Sequence, residues 1–95
     1  MLTSPLRIGG TTSARNRLYR APVLEGAGDG DDCAAIYAKA FVENARHGVG
    51  LIIQGNSCIS EEGRSSPGMT RVHTRERMLR LAPMVDAVHA EGASI

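Results

Sequence analysis

Tryptophan is absent, phenylalanine occurs once and tyrosine twice in 95 residues, so any core must be built from aliphatic side chains and Met rather than from stacked rings. Charge of one sign is lacking too. Eleven Lys and Arg stand against ten Asp and Glu, a net charge of +1, which gives no electrostatic footprint for nucleic acid or an anionic membrane; neither partner is expected. Cysteine is scarce. Cys33 and Cys58 form no Cys-x-x-Cys, which argues against a disulfide framework and for a reducing cytoplasm. With His73 they do not make a ligand spacing either, so no metal site is expected. No stretch approaches the roughly 18 to 20 consecutive apolar residues that span a bilayer, and Met1 to Pro5 shows no basic region ahead of an apolar one. From these absences a soluble cytoplasmic chain is expected.

The segment that organises the rest is Asn16-Arg17-Leu18-Tyr19-Arg20-Ala21-Pro22-Val23-Leu24. Leu18 to Ala21 reads as a short strand stopped by Pro22, which lacks a backbone donor and has a fixed φ. The loop that follows, Glu25 to Asp32, is rich in Gly and Asp and can bring bare backbone close to a ligand. A second unit repeats the order: the apolar run Val49 to Ile53, then Gln54-Gly55-Asn56-Ser57. Ahead of both, Leu6-Arg7-Ile8-Gly9-Gly10 predicts a small β-hairpin acting as a lid or plug.

Between the two strands, Asp31 and Asp32 are candidate N-caps for a helix over 33–47, with Gly48 as its left-handed stop. Ala34, Tyr37, Ala38, Phe41 and Ala45 form one apolar stripe. Val49 to Ile53 has no polar alternation, which predicts a strand covered on both faces in a parallel sheet. Residues 55–72 read as one long loop, tacked down by Ile59, Met69 and Val72, with Glu61, Glu62 and Arg64 solvated. Thr74 caps a short turn over 75–81, and a main helix runs from Pro83 to Glu91 with Val85 and Val88 inward. Ala93-Ser94-Ile95 opens a third strand. Such βα repeats make an open doubly wound sheet or a closed barrel, and a (β/α)8 barrel takes roughly 250 residues. The chain is therefore expected to be one portion of a larger α/β architecture.

Several features in this order resemble the Old Yellow Enzyme family of flavin-dependent oxidoreductases. Leu2 to Gly10 is similar to the family's opening hairpin, Asn16-Arg17 to its Asn-Arg before the first barrel strand, and Ala21-Pro22 to the pair that closes that strand. Gly48 to Ile53 resembles the second strand, Glu62-Gly63-Arg64 the Gly-Arg of the next loop, and Asp86 to Gly92 the helix before strand three. Asn16 to Pro22 with Glu25-Gly26-Ala27-Gly28 leans towards the 2,4-dienoyl-CoA reductase and trimethylamine dehydrogenase branch. The implied fold is α/β: the N-terminal βαβα portion of a (β/α)8 TIM barrel preceded by a small β-hairpin, an incomplete barrel. Residues 1–95 would be the N-terminal part of an FMN-binding domain, truncated before the end of strand three.

The resemblance implies an FMN site at the C-terminal ends of the strands, with Ala21, Pro22, Val23 and Leu24 after strand one and Gly55 and Asn56 after strand two. Leu24 replaces the Thr or Cys of many relatives, and Asn56 is larger than the usual Ala or Gly. NADH or NADPH would be the co-substrate and a small molecule with an activated alkene or enoyl group the acceptor. Any iron–sulfur cluster would belong to a missing C-terminal part. The family's substrate-holding His residues, Tyr proton donor and phosphate-binding loops have no counterpart here, so no catalytic residue is assigned and the isolated segment is expected to be inactive. His47 and His89 read as helix-end residues. The Gly26 to Gly30 stretch lacks the Lys of a P-loop and reads as a tight turn. The alternative is a non-enzymatic remnant or small α/β interaction module.

Overall fold

The structure, a computed structural model, describes residues 1–95. It opens with an antiparallel hairpin of β1 (Leu6–Ile8) and β2 (Thr12–Ala14), in register Leu6 to Ala14 and Ile8 to Thr12. Gly9 makes the turn at φ 63°, a conformation glycine adopts without steric cost. Strand β3 is only Tyr19–Arg20, shorter than the sequence pattern predicts, because the chain turns away at Ala21 before Pro22.

Helix α1 (Cys33–Arg46) then crosses to β4 (Leu51–Ile52), which pairs parallel with β3 through Tyr19 to Leu51 and Arg20 to Ile52. The N-terminal aspartates do not cap it as expected: Asp32 holds the cap position with no side-chain hydrogen bond, and Asp31 turns out to Arg80 at 2.9 Å. Its C-terminus does follow the sequence. Gly48 takes φ 103°, and the Gly48 and Val49 N–H groups donate to the Ala45 and Asn44 carbonyls at 3.1 Å each, satisfying carbonyls that a helix end leaves open.

The stretch expected to be a loop contains a second parallel pair, β5 (Ser57–Cys58) with β6 (Thr70–Arg71). Met69 is buried and Val72 half-buried, but Ile59 is exposed and tacks nothing down. Helix α2 (Arg75–Leu79) starts at Thr74, whose Oγ1 accepts the Arg77 N–H at 3.2 Å. Helix α3 runs Ala82–Ala90, one residue earlier at each end than expected, with Pro83 in its first turn where a missing N–H costs little. The chain returns to the sheet at Ser94, whose carbonyl accepts the Ile52 N–H at 2.8 Å and whose N–H donates to the Gly50 carbonyl at 3.0 Å.

One core lies between α1, α3 and the inner face of β4. Tyr37, Phe41, Ile52, Met84 and Val88 are its large buried side chains, and the Tyr37 and Phe41 rings sit 6.1 Å apart. The other face of β4 is uncovered, contrary to the two-sided burial read from its sequence: Ile53 is 41% exposed and Leu51 half-buried. Surface area agrees. The chain exposes 5930 Å², above the roughly 5,300 Å² of a compact monomer of its mass.

Arg15 joins the ends of both long helices. Its guanidinium donates to the Glu91 carbonyl at 2.9 Å, to the Val49 carbonyl at 2.9 Å and to the Ala45 carbonyl. Asn16 adds a bond from Nδ2 to the Gly48 carbonyl at 2.7 Å, while its Oδ1 accepts the Leu18 N–H at 3.0 Å. The segment ahead of β3 therefore sets that strand's position against α1.

Candidate functional site

Because β3 and β4 are parallel, their C-terminal ends emerge on the same side. The Ile53 N–H donates to the Arg20 carbonyl at 3.1 Å, and beyond that bond Ala21, Pro22, Val23 and Leu24 turn outward as exposed residues. Val23 and Leu24 leave 59% and 48% of their apolar surface open. Gly55 is buried against this turn, with the Val23 carbonyl occupying the place a side chain would take. Asn56 is exposed beside it. The structure thus brings the six sequence-predicted residues together at one edge.

Glu25 closes the turn. Its carboxylate accepts the Gly55 N–H at 3.3 Å on Oε1 and 3.2 Å on Oε2, and Arg20 Nη1 donates to Oε1 at 3.1 Å. The Glu25 side chain is only 8% exposed. The Arg20 guanidinium carbon lies 4.8 Å from the Phe41 ring centroid, so the pair also stands on the core through a cation–π contact. Neither Glu25 nor Arg20 was a sequence candidate; the available signal was a pair of opposite charges on either side of Pro22.

A second cluster fastens the long connection. Asp29 accepts from Arg64 Nη2 at 2.7 Å, Arg71 Nη2 at 2.9 Å and the Gly68 N–H at 2.8 Å. The Gly68 N–H bond and the two guanidinium groups hold its carboxyl below the ordinary 3.8. Glu61 Oε1 lies 3.7 Å from Arg71 Nη1 and 3.2 Å from His73 Nε2. The Glu61 and Arg64 side chains are therefore ion-paired, where the sequence reading left them solvated. Gly28 packs on the Met69 and Thr70 backbone, and its N–H donates to the Gly68 carbonyl at 2.8 Å; this close approach explains the glycine at that position. His47 Nδ1 lies 2.9 Å from the Glu43 carbonyl oxygen, within its own helix end.

Thr70 links this cluster to the core: its Oγ1 lies 2.9 Å from the Tyr37 hydroxyl and accepts Gln54 Nε2 at 3.2 Å. Burial pushes the Tyr37 hydroxyl above the ordinary 10.0. The largest cavity, about 580 Å³, is an apolar groove along the free side of β4, lined by Leu51, Ile53, Met84, Val85 and Ile95 among others. Ala21 to Leu24 do not line it. No group of three or more His, Cys, Asp or Glu side chains is placed to hold a metal ion, and no helix is long and apolar enough to cross a membrane.

Compared with known proteins, residues 1–95 match the model of the NADH:flavin oxidoreductase / NADH oxidase family from end to end. The chain belongs to that family. Family members are oxidoreductases that use FMN and NAD(P)H. A metal reductase of Desulforamulus reducens (strain ATCC BAA-1160 / DSM 100696 / MI-1) is 34% identical over 95 residues, all of this chain and 14% of that protein. Among solved structures, a variant of NCR from Zymomonas mobilis, an old yellow enzyme homologue, superposes with a TM-score of 0.80 at 30% identity, covering 97% of this chain and 29% of that one. Morphinone reductase in complex with tetrahydroNAD gives 0.82 at 26% identity, covering 97% and 24%. The chain therefore spans less than a third of each of these relatives, and its own strands form no closed barrel.

The residues at the β3 and β4 ends fit a flavin chemically. The Val23 and Leu24 N–H groups make no intramolecular backbone bond, and the Val23 and Leu24 side chains are open. A flat ring with a polar edge takes apolar surface on its face and backbone donors at its rim.

Proposed function

We propose that residues 1–95 are the N-terminal part of an FMN-binding (β/α)8 barrel domain in a cytoplasmic oxidoreductase. The enzyme would pass hydride from NADH or NADPH through FMN to a small molecule bearing an activated alkene or enoyl group. The observation that carries this reading is the meeting of Val23 and Gly55, which joins the two strand ends into one edge. The resemblance of Asn16 to Pro22 with Glu25 to Gly28 supports a reading near the 2,4-dienoyl-CoA reductase and trimethylamine dehydrogenase branch. Cys33 and Cys58 are free and buried, as suits a reducing compartment.

When bound, FMN supplies two-electron hydride chemistry that no side chain can. The chain's part is to bind and orient. Val23 and Leu24 offer an apolar platform, their N–H groups offer donors, and the Asn56 amide offers both a donor and an acceptor. Leu24 has no hydroxyl or thiol, so side-chain tuning at that position is replaced by backbone contacts. His47 and His73 are engaged with Glu43 and Glu61.

The test is to express the longest polypeptide its gene encodes and titrate FMN, following quenching of flavin fluorescence. Saturable binding, with bleaching of the yellow band by NADH or NADPH, is the expected result. No binding at millimolar FMN would remove the reading and leave a non-enzymatic α/β interaction module in its place.

A further inference from the structure

We propose that Glu25 is the positioning residue of this flavin edge, and that its pairing with Arg20 sets the charge at that edge; the inference rests on the flavin reading above. Past the Ile53 to Arg20 bond, no backbone hydrogen bond joins the 21–25 turn to residues 54–56. One carboxylate does the joining, through the Gly55 N–H and Arg20 Nη1.

Two observations separate this from ordinary packing. A carboxylate only 8% exposed is desolvated, and a well-packed apolar side chain would fill the same space without that cost. What an apolar side chain lacks is an acceptor for the Gly55 N–H. Position 55 is also matched to it, since a Cβ there would meet Glu25 Oε2 at 2.7 Å as well as the Val23 carbonyl. The Gly55 backbone donor beyond the end of β4 is thus committed to Glu25, while those of Val23 and Leu24 make no backbone bond.

The charge balance gives a second consequence. Glu25 neutralises Arg20 directly, and Gln in its place keeps an acceptor for Gly55 while leaving the Arg20 cation uncompensated. A cation near the ring favours the more negative reduced form of a flavin, so the midpoint potential of bound FMN should rise in that variant.

The experiment compares wild type, Glu25→Ala, Glu25→Gln and the double variant Arg20→Gln/Glu25→Gln in the full-length protein. FMN affinity, the visible absorption band and the midpoint potential are read. Glu25→Ala is expected to weaken FMN binding at least about tenfold, the scale of one charged hydrogen bond left unmade, and Glu25→Gln less. Glu25→Gln should raise the potential, and the double variant should bring it back. Wild-type affinity and potential in Glu25→Gln would overturn the proposal even if its thermal stability fell, and that variant alone decides if Glu25→Ala does not fold. Failure of the wild-type protein to bind FMN removes the flavin reading and this inference together; unchanged variants of an FMN-binding wild type remove only the role of Glu25.

Discussion

The carbonyl oxygen of Val23 lies directly against the Cα of Gly55, in the space a Cβ would need. Gly55→Ala must therefore push the turn after β3 away from the end of β4. Overpacking of this kind costs about 1–3 kcal/mol. A drop of that size in unfolding free energy, measured by urea titration, is expected together with weakened FMN binding. Unchanged stability would mean that the turn yields freely and is no fixed edge.

Asp29 ties residues 64–71 to the loop before α1, and its carboxyl is held below 3.8. A carboxyl with a depressed pKa in the folded state stabilises the fold above its unfolded pKa, and that contribution is lost as pH falls through the folded value. Thermal melts should therefore weaken below about pH 4 more steeply in wild type than in Asp29→Asn. Parallel acid profiles for the two proteins would show that the clamp contributes nothing to stability.

Tyr37 behaves in the opposite direction. Burial raises its hydroxyl above 10.0, so its contribution is full below the unfolded pKa and is lost as pH rises through the folded one. Tyr37→Phe should remove this alkaline loss. At neutral pH it should cost about 1 kcal/mol, since Thr70 keeps Gln54 as its other partner. Hydrogen exchange or denaturant titration at the two pH values checks both.

The 95-residue chain by itself leaves the β4 groove and the faces of Leu18, Tyr19 and Ile53 open. Exposed apolar surface of that extent binds hydrophobic dyes and favours association. Strong dye fluorescence and a broad thermal transition are expected for the isolated chain. A sharp, concentration-independent melt without dye binding would contradict the open groove.

Helix α1 was legible because its determinants are local: Tyr37, Phe41 and Ala45 repeat at four-residue steps, and Gly48 stops the helix with a conformation other residues resist. The β3 and β4 cores were legible for a similar reason, though each is shorter than its apolar run. Thr74 and Pro83 marked the two later helices. Met84 escaped notice because its neighbours Val85 and Val88 already supplied an apolar stripe, yet it is among the most buried side chains. Of the proposed flavin edge, the six turn residues were implied by a family resemblance, whereas Glu25 and Arg20 were not.

Short-range pattern thus sufficed for the alternation of strand and helix and for the Gly48 end of α1. The β5–β6 pair, the Asp29 clamp and the Glu25 brace came only with the folded chain. Each joins residues far apart in sequence, such as Ser57 with Thr70 or Glu25 with Gly55. A carboxylate in a Gly-rich loop looks solvated until the fold delivers a guanidinium and a backbone N–H to it. That delivery is decided by the packing of α1 and α3 against β4, and no local periodicity encodes it.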